Sequence, residues 1–268
     1  MGNRRGPITR AAPHESAREG VAVKIAVLST PTKHHTYFIN CLAEHADIVG
    51  IFYERRRITK PFPIGPFFAA EEDAFENRFF DSAHGGTAPT LPETLSRRVV
   101  EVDDVNQPGV AEHLAALAPD LVVVFGTGRL GQRVLAVPRW GCINVHRGLT
   151  QYHRGLDSDL WAIHQGRLDQ IGVTIHYVDA DLDTGDILAQ ETVAIGPSTE
   201  IFHLRFLTSV VATRLVIDVV GRIRAARTRI PGRPQNERGR YFSAMPLATK
   251  HEALQRFLAL RPSGERAA

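Results

Sequence analysis

Residues 121–146 of the 268-residue chain read LVVVFGTGRLGQRVLAVPRWGCINVH, which indicates two strands joined by a glycine-rich connection. Leu121 to Phe125 is apolar and rich in β-branched residues, a composition that favours a strand. Gly141 to His146 predicts a second strand, near the end of which Asn144 and His146 stand two residues apart. Because side chains alternate between the faces of a strand, these two side chains are expected to point the same way.

The segments around this stretch predict an α/β sheet. Val23 to Ser29, Asp47 to Tyr53 and Val99 to Val102 are further strand-like runs, and helical patterns separate them. Strands expected at 172–178 and 186–194 suggest an antiparallel pair. The predicted fold class is therefore α/β, with a mostly parallel twisted sheet, helices on both faces and an antiparallel addition.

Asn144, His146 and Asp183 together carry the groups needed for acyl transfer. Asp183 lies in the Leu-Asp-Thr-Gly-Asp turn at 182–186. An amide N–H and an imidazole on one face can stabilise an oxyanion, and a carboxylate can orient the imidazole or accept a proton through water. Taken singly, each residue has an ordinary interpretation as a turn former or a hydrogen-bonded histidine. Their combination favours catalysis.

The motifs around these residues resemble those of the folate-dependent formyltransferases, which transfer a formyl group from 10-formyltetrahydrofolate to an amine. The resemblance rests on order and spacing across Asn144-Val145-His146 and across residues 152–155 (YHRG), 160–163 (LWAI), 172–176 (GVTIH) and 182–188 (LDTGDIL), with a weaker match at 126–130. One segment departs from the family. Residues 147–151 read RGLTQ where the family usually has Pro-Ser-Leu-Leu-Pro beside the acceptor, so the motifs leave the acceptor open.

The resemblance implies a Rossmann-like formyltransferase fold and a role for each matched residue. Asn144 would bind the developing oxyanion, His146 would stabilise it and shuttle a proton, and Asp183 would orient His146 or take the amine proton through water. The pterin of the cosubstrate 10-formyltetrahydrofolate would be bound by Gly128, Arg129, Leu130, Val178, Asp179 and Asp181. The acceptor would be bound by Arg147, Tyr152, Arg154, His176 and the loop at 34–36.

Three parts are expected along the chain. Residues 1–21 contain four arginines, two glutamates and no apolar stretch, so they indicate a flexible N-terminal arm without a secretory signal. Residues 22–227 would form the formyltransferase catalytic domain, in which the segment 55–97, broken by proline and glycine, would be an insertion or lid. Residues 228–268 would be a C-terminal tail, too short for another full domain.

The net charge bears on the binding partners, and the cysteine content bears on the cellular compartment. The arm accounts for +2 of the formal net charge of +3, so the body is nearly neutral, which argues against a broad nucleic-acid footprint. Cys41 and Cys142 lie in apolar contexts and are typical of a reducing cytoplasm. One local exception remains open: seven arginines and one glutamate at 222–240 fit either a solvated helix end or a phosphate-binding surface.

One motif and the histidine content suggest activities that the rest of the sequence does not support. Residues 126–131 spell Gly-x-Gly-x-x-Gly, but no acidic residue follows at the end of the next strand, as a dinucleotide site requires. Twelve histidines invite a metal site, yet none has a tight ligand spacing, so no metal is expected.

The leading hypothesis is a cytoplasmic N-formyltransferase for a small-molecule amine, with a nucleotide-linked amino sugar favoured as acceptor. Glycinamide ribonucleotide, hydroxyornithine-like amines and methionyl-tRNA are alternative acceptors. Hydrolysis of 10-formyltetrahydrofolate is an alternative reaction, and an inactive folate-binding module is the alternative from a different class. No nucleic-acid or membrane partner is expected, and a homodimer is left open.

Overall fold

The computed structural model describes residues 22–55, 59–65, 67–83, 90–179 and 181–262. The arm expected at 1–21 lies outside these residues. The strands are β1 (Lys24–Ser29), β2 (Asp47–Glu54), β3 (Val99–Val102), β4 (Leu121–Phe125), β5 (Cys142–His146), β6 (His153–Gly155), β7 (Gly172–Tyr177), β8 (Ile187–Thr192) and β9 (Arg240–Phe242). The helices are α1 (Lys33–Ala43), α2 (Ala69–Ala83), α3 (Glu93–Ser96), α4 (Val110–Leu117), α5 (Gln132–Leu135), α6 (Ser158–His164), α7 (Leu204–Ala226) and α8 (Leu247–Leu260).

Seven strands form the main sheet, in the order β3-β2-β1-β4-β5-β7-β8. The first five strands are parallel, and β7 and β8 are antiparallel to their neighbours, so the predicted fold class is confirmed. The strand order reverses between β1 and β4. In α/β sheets, ligands bind outside the carboxyl ends of the strands near such a reversal.

Helices cover both faces of the sheet. On β1, Ile25 and Val27 belong to an apolar cluster with helices α1 and α7, whereas Ala26 and Leu28 belong to a second cluster with α4 and α5. Burial on both faces explains why the parallel strands read as continuous apolar runs and not as alternating ones.

Helix α7 is the longest helix in the described part of the chain, and it packs on the sheet next to α1. Its buried residues Ala212, Val216, Val219 and Ile223 recur at helical spacing. The sequence predicts a helix start at Ser198 or Thr199, but a 3-10 turn at Ile201–His203 precedes α7. Thr199 Oγ accepts the Gly196 N–H at 2.9 Å and closes the preceding turn, so it does not cap the helix.

Helix α2 lies in the segment expected to be an insertion or lid. Arg205 on α7 binds the Glu76 carboxylate through two nitrogens, at 2.8 and 3.0 Å, and contacts Glu72 at 2.8 Å. These ion pairs attach α2 to α7. The role of this segment as a lid stays a prediction.

Residues 240–260, expected to belong to a C-terminal tail, form packed structure. Strand β9 pairs with β6 in a separate two-stranded sheet. Met245, Ala253 and Phe257 are fully buried in a third apolar cluster, which also contains Ala162 and Ile163 of α6. The helices that the structure describes include none with the length and apolar character needed to cross a membrane.

Candidate active site

Asn144 and His176 face each other across two antiparallel strands. The register of β5 and β7 pairs these residues directly, and side chains in such pairs lie on the same face of the sheet. The Asn144 Nδ2 atom lies 3.2 Å from His176 Nε2. His146, two residues further along β5, is buried, whereas Asn144 is partly exposed.

Asp183 reaches this pair from the turn that follows β7. Its backbone is in the left-handed region, with φ of 54°, and its side chain is buried. Asp183 Oδ1 accepts a hydrogen bond from Asn144 Nδ2 at 3.3 Å, and Oδ2 accepts the Gly155 N–H at 2.8 Å. The structure therefore brings together Asn144, His146 and Asp183, with His176 beside them.

Two histidines flank the Asp183 carboxylate. His146 Nδ1 lies 3.5 Å from Asp183 Oδ2, and His176 Nε2 lies 3.5 Å from Asp183 Oδ1. The opposite ring nitrogens contact backbone carbonyls at 2.8 Å, those of His153 and Tyr177. A carbonyl only accepts hydrogen bonds, so these outer nitrogens carry the proton of each neutral ring. The nitrogens that face Asp183 are therefore the ones free to gain a proton.

The electrostatic environment keeps Asp183 ionised. Burial alone would raise the pKa of this carboxyl, but the charge of a protonated His146, a hydrogen bond and charge from a protonated His176, and the Gly155 N–H together lower the pKa well below its usual range. Asp183 is therefore a carboxylate at neutral pH, positioned to stabilise an imidazolium on either side.

Gln235 and Arg154 support the loop that carries Asp183. Gln235 Nε2 donates to the carbonyls of Asp183 and Gly185, at 3.3 and 2.6 Å. Arg154 donates to the Leu182 carbonyl at 3.1 Å and to the Gly239 carbonyl at 2.7 Å. The sequence contains no local signal for the contact of Gln235, which lies about fifty residues from the loop. Arg154 was expected at the acceptor, and that role stays a prediction.

The other residues expected to bind the acceptor lie in different environments. Arg147 donates to Asp159 at 2.7 Å and to Thr208 at 2.8 Å, so its guanidinium is already paired. The Tyr152 side chain is exposed. His34 and His35, in the expected 34–36 loop, lie in the first turn of α1; burial lowers the pKa of both, that of His35 to about 3, and they are neutral at neutral pH.

The segments expected to bind the pterin contribute to one apolar cluster. Leu130, which follows β4, is buried there with Cys142 of β5, and Val178 packs against the same cluster. Asp179 accepts the Thr184 hydroxyl at 2.6 Å and the Asp181 N–H at 3.2 Å, which braces the turn before Asp183. The structure brings the two segments near β5, and pterin binding by them stays a prediction.

An acidic residue reaches the glycine-rich loop at 126–131, although none follows at the end of the next strand in the sequence. Glu54, at the end of β2, accepts the Gly128 N–H at 2.7 Å and the Val105 N–H at 3.1 Å. Both carboxylate oxygens are thereby bound to the protein's own backbone. This arrangement differs from a dinucleotide site, where the acid binds a ribose hydroxyl.

The part of the chain that the structure describes indicates neither a thiol nucleophile nor a metal centre. Burial raises the pKa of the Cys142 thiol to about 12, and burial also raises the pKa of Cys41. Across the described ranges, no group of three or more His, Cys, Asp or Glu side chains is arranged to hold a metal ion.

Comparison with known proteins identifies a matching family and several relatives. The family model described as formyl transferase matches residues 74–219, more than half of the chain. A methionyl-tRNA formyltransferase from Chlorobium chlorochromatii is 33% identical over 181 residues, covering 63% of this chain and 56% of that protein. The chain spans about half the length of the curated relatives it matches.

Solved structures share the fold. A sugar N-formyltransferase from a Shewanella species superimposes with a TM-score of 0.57 at 17% identity, covering 91% of this chain and 89% of that one. HypX from Aquifex aeolicus, in complex with tetrahydrofolic acid, gives a TM-score of 0.55 at 16% identity and covers 84% of this chain and 30% of HypX. At these identities the likeness concerns the fold alone.

Proposed function

Because the chain belongs to the formyl transferase family, we propose that it transfers a formyl group from 10-formyltetrahydrofolate to the amine of a small molecule. One observation carries this proposal: a partly exposed amide, Asn144, lies over a buried carboxylate, Asp183, that two histidines flank. This arrangement supplies a hydrogen-bond donor for an oxyanion and acceptors for a proton, which are the two requirements of acyl transfer to an amine.

Asn144 stabilises the oxyanion. The acceptor amine attacks the formyl carbon, whose carbonyl oxygen then gains negative charge. Asn144 Nδ2 carries two N–H groups, directed to His176 Nε2 and to Asp183 Oδ1. When His176 Nε2 gains a proton it no longer accepts a hydrogen bond, and one Asn144 N–H becomes available to the oxygen.

The buried histidines and Asp183 handle the proton. The attacking amine loses a proton, through water, to the nitrogen of His146 or His176 that faces Asp183, and the carboxylate stabilises the resulting imidazolium. When the bond between the formyl carbon and N10 breaks, the same proton passes to the departing N10. The products are a formamide and tetrahydrofolate, and no covalent enzyme intermediate is required.

The residues near β5 fit a reduced folate. The tetrahydrofolic acid complex of HypX, which shares this fold, supports folate as the donor. Neither the N–H nor the C=O of Leu130 has a hydrogen-bond partner among the described residues. Adjacent donors and acceptors of this kind suit the polar edge of a pterin, which carries both.

We propose a nucleotide-linked amino sugar as the acceptor. The nearly neutral body and the altered 147–151 loop support this choice, as does the sugar N-formyltransferase from Shewanella that shares the fold. Methionyl-tRNA is the second candidate, because the curated relatives that match are methionyl-tRNA formyltransferases. Tyr152, with its exposed side chain, remains a proposed contact of the acceptor. The unpaired state of both cysteines supports a cytoplasmic location.

The test is a turnover assay with purified protein and 10-formyltetrahydrofolate, with and without a panel of amines. Formation of tetrahydrofolate together with a formylated acceptor, detected by mass spectrometry, is the expected result. Release of formate at the same rate without any acceptor would assign a hydrolase. Folate binding without turnover on any amine would indicate an inactive binding module.

A further inference from the structure

Asn106 holds the backbone of the 126–131 loop on both sides of Leu130. It lies in the loop after β3, and its Nδ2 atom donates to the Arg129 carbonyl at 2.8 Å. Its Oδ1 atom accepts the Gly131 N–H. Asp104 orients the Asn106 amide by accepting from the same Nδ2 atom at 3.0 Å. One side chain therefore fixes two successive peptide groups.

The planarity of the peptide bond decides where Leu130 points its own polar groups. In a trans peptide, the C=O and the N–H point in opposite directions. The Arg129 C=O points at Asn106, so the N–H of Leu130 points away from it. The Gly131 N–H also points at Asn106, so the Leu130 C=O points away as well. Leu130 thus presents an adjacent donor and acceptor on the side opposite Asn106.

Glu54 and the Leu130 side chain fix the rest of this loop. The Glu54 carboxylate is buried and accepts the Gly128 N–H, two residues before Leu130. Leu130 as a whole residue is 3% exposed, and its side chain anchors it in an apolar cluster. The orientation of the Leu130 peptide groups therefore depends on two polar side chains from other parts of the chain, Glu54 at the end of β2 and Asn106 in the loop after β3.

We propose that Asn106 and Glu54 are positioning residues for the formyl donor, which hold the Leu130 N–H and C=O in place to bind the pterin edge of the folate. This inference rests on the proposed function. A preorganised donor and acceptor bind without the loss of conformational entropy that a mobile loop would suffer, so the contribution of both residues lies in folate affinity.

The test measures tetrahydrofolate binding by calorimetry and steady-state kinetics for the variants Asn106→Ala and Glu54→Gln. The Kd for tetrahydrofolate should rise by about 10- to 100-fold, the effect of weakening two hydrogen bonds. KM for the formyl donor should rise in parallel. The kcat at saturating donor and KM for the acceptor should stay within about threefold of wild type, because Asn106 and Glu54 have no contact with Asn144, His146 or Asp183.

Gln107→Ala is the matched control. Gln107 follows Asn106 and accepts the Asp103 and Asp104 N–H groups at 3.0 and 3.3 Å, so its loss loosens the same loop without removing a contact to 128–131. Folate affinity in this variant should remain near wild type. If Asn106→Ala does not fold, Glu54→Gln, which keeps the size of the side chain, carries the test.

The outcomes separate the two proposals. Failure of the wild-type protein to bind tetrahydrofolate would reject both. Wild-type binding that is unchanged in Asn106→Ala and Glu54→Gln would overturn the positioning role and leave the proposed function standing. A fall in kcat with unchanged Kd, or an equal loss of affinity in Gln107→Ala, would also overturn it.

Discussion

Asn144 differs from its neighbours at the site in exposure. His146 and Asp183 each have side chains about 5% exposed, whereas Asn144 is partly open to solvent. In the proposed mechanism, a bound substrate reaches the amide of Asn144 directly, while the buried pair of His146 and Asp183 exchanges protons through water. This difference in exposure fits a role for Asn144 in binding the oxyanion and a role for His146 and Asp183 in proton transfer.

The variant Asn144→Ala is expected to lower kcat by about 10²- to 10³-fold, as the loss of a single oxyanion donor does in other enzymes. The affinity for tetrahydrofolate should change little. Asn144→Asp, which keeps the size but brings a second carboxylate toward Asp183, should be at least as impaired. Steady-state kinetics with both substrates saturating measure the effect, and turnover equal to wild type would remove Asn144 from the mechanism.

His146→Ala and Asp183→Asn should each abolish most turnover. The double variant should be barely less active than the less active of the two single variants. The reason is their 3.5 Å separation: the carboxylate acts by stabilising the protonated imidazole, so either loss removes the same function. A double-mutant cycle on kcat provides the measurement. Losses that multiply fully would mean that the two residues act independently.

The proximity of Asn144, His146 and Asp183, here called the trio, could be predicted from the sequence because two of them stand on one short strand and the third lies in a recognisable turn. Their catalytic roles stay predictions. His176 was predicted near the acceptor, and its register opposite Asn144 places it in direct contact with the trio. The N–H of Gly155 and the side chain of Gln235 could not be predicted. The Gln235 contact depends on the path of the chain after α7, and the Gly155 contact depends on the position of β6, which pairs with β9 of that later segment. Local sequence patterns determine neither.

Among the elements, the segment from Arg233 to Phe242 contributes most to the site beyond the main sheet. Arg233 forms two backbone hydrogen bonds with Ile187, at 2.7 and 2.8 Å, and β9 pairs with β6. Between these two attachments, Gln235 binds the turn of Asp183. The segment therefore fixes a backbone that is in the left-handed region at a residue other than glycine, which is otherwise costly.

Gln235→Met is expected to lower kcat by about tenfold, because it removes the two hydrogen bonds that hold the Asp183 turn while keeping the length of the side chain. KM for the formyl donor should change less than kcat. In an Asp183→Asn background the same substitution should have little further effect, since Gln235 acts through Asp183. Asn236→Ala, at the exposed neighbouring residue, is the control, and an equal loss in that variant would contradict the positioning role.

Phe257→Ala in α8 should lower the free energy of unfolding by about 3–5 kcal/mol, the cost of truncating a buried phenylalanine. Phe257 is fully buried against α6, whereas Leu258 beside it is 44% exposed. Leu258→Ala should therefore change stability by only about 0.5 kcal/mol. Urea denaturation of both variants distinguishes them. Similar small effects would mean that α8 does not unfold together with the rest of the protein.

The strands of the main sheet could be predicted well because burial on both faces leaves continuous apolar runs such as Leu121 to Phe125. The start of α7 could not, because Thr199 caps a turn with the hydroxyl that was expected to cap the helix. The segment after residue 228 was expected to be a tail. It begins with a polar, arginine-rich stretch, and the later helical spacing of the apolar residues Ala253 and Phe257 is too short a pattern to indicate a packed helix.

At the scale of the whole molecule, charge and topology constrain the acceptor together. The site lies on β5, next to the strand β4 at which the sheet order reverses, where α/β proteins bind small ligands. Arg147, the basic residue nearest to His146 in sequence, is paired with Asp159 and Thr208. A phosphate of either acceptor could reach Arg147 only in competition with these partners, so Arg147 does not decide between the two acceptors. The preference for a small acceptor rests instead on the nearly neutral body of the protein.

A nucleotide-linked amino sugar should therefore be formylated in preference to charged methionyl-tRNA. Binding dominated by many phosphate contacts weakens steeply with salt, because each contact releases counterions, whereas a pocket that binds one small substrate responds much less. We expect kcat/KM for the amino sugar to change only modestly from about 50 to 200 mM salt, the range over which multi-phosphate binding falls by orders of magnitude. The measurement is turnover of both acceptors with 10-formyltetrahydrofolate across this salt series. Efficient and steeply salt-dependent formylation of the tRNA, without activity on any amino sugar, would reject the acceptor assignment and leave formyl transfer itself in place.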